Sequence, residues 1–389
     1  MGQGATRTTT IPTTLTNARL LTPEGVHDGW LRVGDGRILG LGTGAPPPAG
    51  GVTTDLGGRW LLPGTVDIHV HGGAGASFTD TDPDRVLAVV EFNRSQGVTT
   101  VVGGLVAATP EDTLAQVAVL AELAEAGEIA GIYLEGPYIA RSKCGAHDPA
   151  LLRDPDLQEF ARILKAGRGH VRMITVAPEL PGALELIRAA AAEGVVAAVG
   201  HTEAGYDRAR AAFDAGATVA THVYNQMRPL HHREPGPIAA ALNDERVTVE
   251  LINDGVHVAA GAAQLVFDAA GDRVALITDA MSATGLGDGD YTLGGLRVRV
   301  ANGEARLAES GQIASSTIVL PDAIRRTVAT LERVDLAAAV RAATAVPARA
   351  LGLDGAGELA AGAPADLLVL DADLATRAVM HRGSWIRAL

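Results

Sequence analysis

Residues 65–73 read TVDIHVHGG, a short apolar run that carries two histidines one residue apart and stops at a glycine pair. Side chains alternate across a strand, so residues two apart share a face. A strand here puts Asp67, His69 and His71 on one face, with Ile68 and Val70 on the other. Two imidazoles on one face of a strand end can grip a metal ion. An isolated H-x-H fits a polar strand end in solvent as readily, so the reading depends on what the other strands bring.

From residue 62 to about 352, short apolar runs alternate with Ala-rich helical stretches. After TVDIHVHG (65–72) come VTTVVGG (98–104), AGIYLEG (130–136), VRMITVAPE (171–179), VVAAVGHT (195–202), ATVATHVY (217–224), VTVELIND (247–254) and VALITDAM (274–281). Helices are expected over 83–96, 111–126, 181–193, 204–214 and 258–270. This α/β alternation, with near-continuous apolar strands, argues a parallel sheet. Eight such units argue a closed (β/α)8 TIM-like barrel over 62–352. The segment GDGDYTLGGLRVRVANGEARLA (287–308) breaks the rhythm and reads as a β-hairpin inserted after the eighth strand. Residues 14–61 and the C-terminal GELAAGAPADLLVLDADLATRAVMHRGSWI show short strands and turns with no helical period. A small β-sandwich domain built from both chain ends, 1–61 and 353–389, is expected beside the barrel.

Composition narrows the partners. At 389 residues the chain exceeds the usual single-domain size. A net charge of −13, 3% aromatic residues and no basic run argue against nucleic acid. An anionic substrate must then be captured by a local cluster of Arg and His. The single cysteine, Cys144, rules out an internal disulfide and fits a reducing compartment. The N-terminal MGQGATRTTTIPTT has no apolar signal core, and no segment approaches a membrane span. A soluble cytoplasmic protein without membrane contact is expected.

In a barrel of this kind the C-terminal strand ends meet at one face, where active sites form. Strand one ends in His69 and His71, strand three in Glu135, strand five in His201, strand six in His222 and strand eight in Asp279. Singly, Glu135 could cap a loop and His222 could be a hydrogen-bonded core histidine. Convergence from five strand ends favours a metal centre. Imidazole and carboxylate suit zinc or ferrous iron. Six such groups exceed what one tetrahedral catalytic zinc needs, and suit two ions bridged by a carboxylate and a hydroxide. Some related barrels bridge the ions with a carboxylated lysine. Here Lys143 falls in a loop and Lys165 in a helix, which leaves Glu135 as the bridge. Asp279 is the candidate proton carrier between water and a leaving amine.

The stretches PGTVDIHVHGG, YLEGPYI, KCGAHDP, VGHTEA, THVYNQMRPLHHREPG, NDGVHV and TDAMSATG resemble the N-acetylglucosamine-6-phosphate deacetylases of the amidohydrolase superfamily. The resemblance covers almost the whole chain. It implies hydrolysis of the acetamide of N-acetyl-D-glucosamine 6-phosphate to D-glucosamine 6-phosphate and acetate, a divalent-metal site, and a homodimer. It implies that Glu135, His201 and His222 hold the principal ion, that His69 and His71 serve a second, and that Asp279 is the acid/base. By the same resemblance His147 contacts the reacting carbonyl and Ala146 lines the sugar pocket. Asn225, Gln226 through its backbone N–H, Arg233, Asp254, His257, Ile313, Ala314 and Ser315 are the implied substrate contacts, with Arg233 reaching the neighbouring subunit's site. The family's usual Asn-Ala-Met is here Asn225-Gln226-Met227, and its Leu-Ala-Gly-Ser is Ile313-Ala314-Ser315-Ser316. Both departures bear on which sugar phosphate is taken. Another N-acyl hexosamine phosphate, or another amide, is the alternative substrate.

Overall fold

A computed structural model describes residues 11–389, so the first ten residues of the expected 1–61 segment lie outside the described chain. Eight parallel strands form one sheet in sequence order: Thr65–Val70, Val98–Val106, Gly131–Glu135, Val171–Val176, Val196–Val199, Ala217–Ala220, Thr248–Ile252 and Val274–Ile277. They are called barrel strands one to eight below. Every strand contributes to one buried interior cluster: Val66 and Ile68, Val102, Tyr133, Met173, Ala198, Val219, Ile252 and Ile277. Ala348 and Leu351, at and just beyond the helix Ala345–Ala350, pack against it. The outward-facing residues, such as Val249 and Leu251, pack into the larger core shared with the surrounding helices. Those helices carry ordinary start signals. Pro83–Gln96 is capped by the Asp82 carboxylate and Pro110–Glu125 by the Thr109 hydroxyl, each with proline in its first turn.

Strands one and eight close the barrel without a regular ladder between them. Asp279 N–H donates to the His69 carbonyl at 2.8 Å, and His71 N–H to the Ala280 carbonyl at 2.8 Å. Asp67 completes the seam: its carboxylate accepts the Thr278 hydroxyl at 2.6 Å and the His69 N–H at 3.2 Å. Asp67 therefore does not share one face with His69 and His71, as strict alternation predicts. The pairing of strand one with strand two shifts register between Asp67 and Val70. Ile68 and His69 consequently both reach groups inside the barrel, Ile68 in the interior cluster and His69 against Tyr133. Burial pushes the Asp67 carboxyl up to about 6, against the hydrogen bonds that favour its charge.

The two chain ends meet in one seven-stranded sheet, ordered Ser384–Arg387, Thr376–His381, Leu367–Leu370, Val52–Pro63, Thr13–Thr22, Gly25–Gly34 and Arg37–Thr43. The expected sandwich is thus a single continuous sheet folded upon itself. Its Arg37–Thr43 edge returns to the other half, where Ile38 N–H donates to the Ala363 carbonyl at 2.9 Å. Leu15, Leu31, Ile38, Leu61, Leu367 and Met380 share the enclosed core. The Val52–Pro63 strand runs into barrel strand one across Gly64 alone. A Cβ at Gly64 would lie 2.1 Å from the Thr99 hydroxyl, so only glycine allows this close approach.

The insertion is larger than a hairpin. Gly289–Leu293, Leu296–Ala301, Glu304–Leu307 and Ile313–Ser315 form a four-stranded antiparallel sheet. Its tight turns, Gly294–Gly295 and Asn302–Gly303, have all four residues at positive φ, as two-residue hairpin turns require. Leu293, Val298, Val300 and Ala305 pack on Val106, Ala146 and Met281, so this cap is fixed to the barrel mouth. Among the described residues no helix is long and apolar enough to cross a membrane.

The seam predicts a stability defect. Thr278→Val removes the hydroxyl that Asp67 accepts and leaves a buried carboxylate short of a donor. Urea unfolding at neutral pH should show a loss of about 1–3 kcal/mol, and an unchanged midpoint would show that the seam does not depend on this bond.

Candidate active site

The strand ends bring all six expected ligating groups to one buried cluster. Glu135 Oε1 lies 2.9 Å from His222 Nε2, 3.0 Å from His201 Nε2 and 3.4 Å from His69 Nε2. Its Oε2 lies 3.1 Å from His71 Nε2. Asp279 Oδ1 is 3.3 Å from His71 Nε2 and 3.7 Å from His69 Nε2. Glu135 is the last residue of strand three, whereas His201, His222 and Asp279 sit just past their strands. These three have φ of 47°, 24° and 49°. Non-glycine residues rarely hold that backbone, and the surrounding structure must over-determine it. For Asp279 it does. Its N–H donates to His69, and its carbonyl accepts the Ser316 N–H at 2.8 Å and the Ser315 hydroxyl.

The imidazoles are oriented by what their other nitrogens do. His71 Nδ1–H donates to the Gly104 carbonyl at 3.1 Å and His201 Nδ1–H to the Lys143 carbonyl at 2.7 Å. His69 Nδ1–H donates to the Glu250 carboxylate at 2.9 Å. In each case Nε2 is the nitrogen aimed into the cluster, the arrangement expected of a metal ligand. His69 Nε2 and His71 Nε2 are buried and make no hydrogen bond. His201 and His222 bring their Nε2 atoms within 3.0 Å of each other. A cation relieves both features, so the residues present fit a divalent metal site.

His147 is built the opposite way. Its Nδ1 accepts the Ala107 backbone N–H at 3.1 Å, so its proton sits on Nε2. Although it stands with Glu135 and His201 by proximity, a protonated Nε2 is a donor and not a ligand. Burial keeps the ring neutral by pushing its pKa down, which outweighs the pull of Glu135.

The field inside the cluster demands positive charge. Burial alone would lower the His69 pKa, but the Glu250 and Glu135 carboxylates hold it well above the usual value. Burial also opposes protonation of His71, yet Asp279 and Glu135 raise it to about 9. Burial opposes the charged form of Glu135, and its histidine neighbours overcome this to hold it well below the usual carboxylate range. Without a metal, protons supply the positive charge.

The cluster opens into a cavity of about 350 Å3. Of the expected substrate contacts, Ala146, Asn225, Gln226, His257, Ile313 and Ala314 line it, as does His147. Three others are placed differently. Ser315 is buried, and its hydroxyl binds the Asp279 carbonyl; the short strand Ile313–Ser315 turns it inward beneath the wall. Asp254 stands behind His257: Oδ2 takes the His257 Nδ1–H at 2.7 Å, while Oδ1 takes the N–H groups of Val256 and His257. Arg233 lies outside its own chain's cavity, exposed beside His232 and lining a surface hollow with Arg208 and Arg228. Sequence reasoning missed two residues. Arg306 projects from the cap into the cavity wall, steadied by Glu304 at 2.9 Å. Glu250 is completely buried in strand seven; a lone carboxylate inside the apolar run VTVELI was the available signal.

The amidohydrolase family profile matches residues 60–386. An N-acetylgalactosamine-6-phosphate deacetylase of Escherichia coli O157:H7 is 38% identical over 94% of this chain and 97% of its own length. An N-acetylglucosamine-6-phosphate deacetylase of Vibrio furnissii is 35% identical over 84% of this chain and 83% of its own. Among solved structures, a variant of the Mycobacterium smegmatis N-acetyl-D-glucosamine-6-phosphate deacetylase in complex with N-acetyl-D-glucosamine 6-phosphate superposes with a TM-score of 0.93. It is 48% identical, covering 97% of this chain and 99% of that one.

The charge balance predicts proton release on metal uptake. His71 titrates near 9, so below that pH an incoming ion must displace its proton. Metal affinity should therefore rise with pH up to about 9. Calorimetry of zinc binding at pH 7 in buffers of different ionisation enthalpy should show net proton release, and a buffer-independent enthalpy would contradict this.

Proposed function

The chain belongs to the amidohydrolase family, and from that premise we propose that it hydrolyses N-acetyl-D-glucosamine 6-phosphate to D-glucosamine 6-phosphate and acetate. The observation that carries this reading is the contrast between the histidines. His69, His71 and His201 spend Nδ1–H on Glu250, Gly104 and Lys143 and turn Nε2 towards the carboxylates, free to bind a cation that displaces any proton there, while His147 presents an Nε2–H to the same cavity. Such a site holds cations on one side and donates a hydrogen bond on the other, as amide hydrolysis needs.

In this proposal Glu135, His201 and His222 hold one divalent ion. His69 and His71, with Asp279 and Glu135, would hold a second; zinc and ferrous iron both suit the donors. When bound, the metal polarises the acyl carbonyl and lowers the pKa of water. His147 Nε2–H donates to the carbonyl oxygen and stabilises the charge that grows there. Asp279 accepts a proton from the attacking water as its oxygen bonds to the acyl carbon. Asp279 then delivers that proton to the amide nitrogen as the C–N bond breaks, so the sugar leaves as a neutral amine together with acetic acid, whose remaining proton passes to solvent to give acetate. Asp254 holds the His257 ring towards the sugar phosphate, and Arg306 adds a cation to the same cavity. The proposal further places the enzyme in the cytoplasm as a homodimer, with Arg233 turned outwards to complete the neighbouring subunit's phosphate site.

One observation favours a second substrate. The Escherichia coli relative, matched over nearly its whole length, is named for the galacto epimer. Acetate release from both 6-phosphates separates the readings. The gluco substrate should have the higher kcat/KM, by about ten-fold or more if one hydroxyl contact discriminates, and a galacto preference would reverse the assignment. Asp279→Asn should reduce turnover by at least about 100-fold while calorimetry still detects sugar-phosphate binding; near-normal turnover would remove Asp279 from the proton path.

The subunit claim has its own check. Arg233→Ala should raise KM for the 6-phosphate substrate and leave the weak activity on unphosphorylated N-acetylglucosamine nearly unchanged. Equal losses on both would point to a folding or assembly defect.

A further inference from the structure

We propose that Glu250 is a positioning residue that ties the two halves of the metal cluster together, a role that rests on reading the cluster as a metal site. Glu250 lies in the middle of barrel strand seven, on an element that supplies no ligand. Its neighbours Val249 and Leu251 pack outwards with the helices, so its own side chain points into the barrel. It is 0% exposed. Among the described residues no Lys or Arg side chain pairs with it, and its Oε1 has no hydrogen-bond partner. A buried carboxylate with one oxygen left unpaired is costly and is unexpected unless it serves something.

What it serves is visible at Oε2. That one atom accepts His69 Nδ1–H at 2.9 Å and the His222 backbone N–H at 3.2 Å. His69 belongs to the half of the cluster built on strand one, and His222 to the half built after strand six. The first contact orients the His69 ring and turns its Nε2 towards Glu135 and Asp279. The second holds the His222 backbone at φ 24°, a conformation the residue would not choose by itself. Glu250 therefore holds, from behind, two ligands whose Nε2 atoms also meet at Glu135 Oε1 on the cluster side. The strand returns the favour, since its carbonyl at Glu250 accepts the Val223 N–H at 2.9 Å. Carboxylates that receive a ligand histidine's second N–H raise its basicity, and their loss typically lowers metal affinity about 10–100-fold.

The test is zinc titration of Glu250→Gln against a chromophoric chelator, together with thermal unfolding of the metal-free protein in EDTA. Glutamine keeps the size and one acceptor but loses the charge. The expected result is a 10–100-fold weaker affinity for at least one zinc equivalent, while the metal-free midpoint reports separately the loss of the buried His69–Glu250 contact. If Glu250→Gln does not fold, Glu250→Met, an apolar residue of similar length, is titrated in the same way and should show the same loss. Wild-type affinity for every equivalent in the folded variant would overturn the proposal. So would a lowered metal-free midpoint with unchanged affinity, which is what a purely structural role gives. A wild-type protein that binds no zinc would instead defeat the metal-site reading itself.

Discussion

The contact on which the molecule depends is the seam between the first and eighth barrel strands. It is made by the same residues that make the site. Asp279 N–H reaches the His69 carbonyl, His71 N–H reaches Ala280, and Asp67 takes the Thr278 hydroxyl. A barrel that failed to close here would lose its interior cluster and separate His69 and His71 from Asp279 at once. Folding and site assembly are therefore one event at this position. The bulged register of strand one follows from it, because Asp67 is drawn to strand eight while His69 still faces inwards.

Above that seam the site is organised by backbone conformation and by tautomers. His201, His222 and Asp279 hold positive φ, and each is pinned by a hydrogen bond to a neighbouring segment: Lys143, strand seven and the cap strand Ile313–Ser315. Such strain is affordable only in a rigid frame, which the apolar interior and the hydroxyl chain Tyr133–Thr175–Thr221, with 2.7 Å at each link, provide. Carbonyl acceptors at Gly104 and Lys143 turn Nε2 of His71 and His201 into the cluster. A single N–H donor at Ala107 makes a hydrogen-bond donor of His147. Identical side chains thus acquire opposite chemistry from one backbone group each.

The cap and the end sheet divide the remaining work. The four-stranded cap brings Leu293, Arg306, Ile313 and Ala314 over the mouth and narrows it to a sugar-sized cavity. The folded end sheet carries none of the cluster residues. It continues directly into strand one through Gly64, and so anchors the strand that carries both histidines of the H-x-H pair.

The sequence by itself determined the eight apolar runs, their parallel order and the six residues of the cluster. Strand periodicity is a local property, and a closed barrel must gather its C-terminal strand ends. Helices were expected over 83–96 and 204–214 for the same reason, and the structure has them at Pro83–Gln96 and Tyr206–Asp214. Only the tertiary structure decided the rest. Whether a histidine ligates or donates depends on a carbonyl or N–H dozens of residues away. The inward turn of Ser315, the place of Asp254 behind His257 and the outward position of Arg233 all depend on what packs against them. Glu250 was visible as an oddity in VTVELI, but its partners lie 181 and 28 residues away in the chain. Contacts at that range leave no periodic trace, since they arise only when the closed barrel brings the strands together.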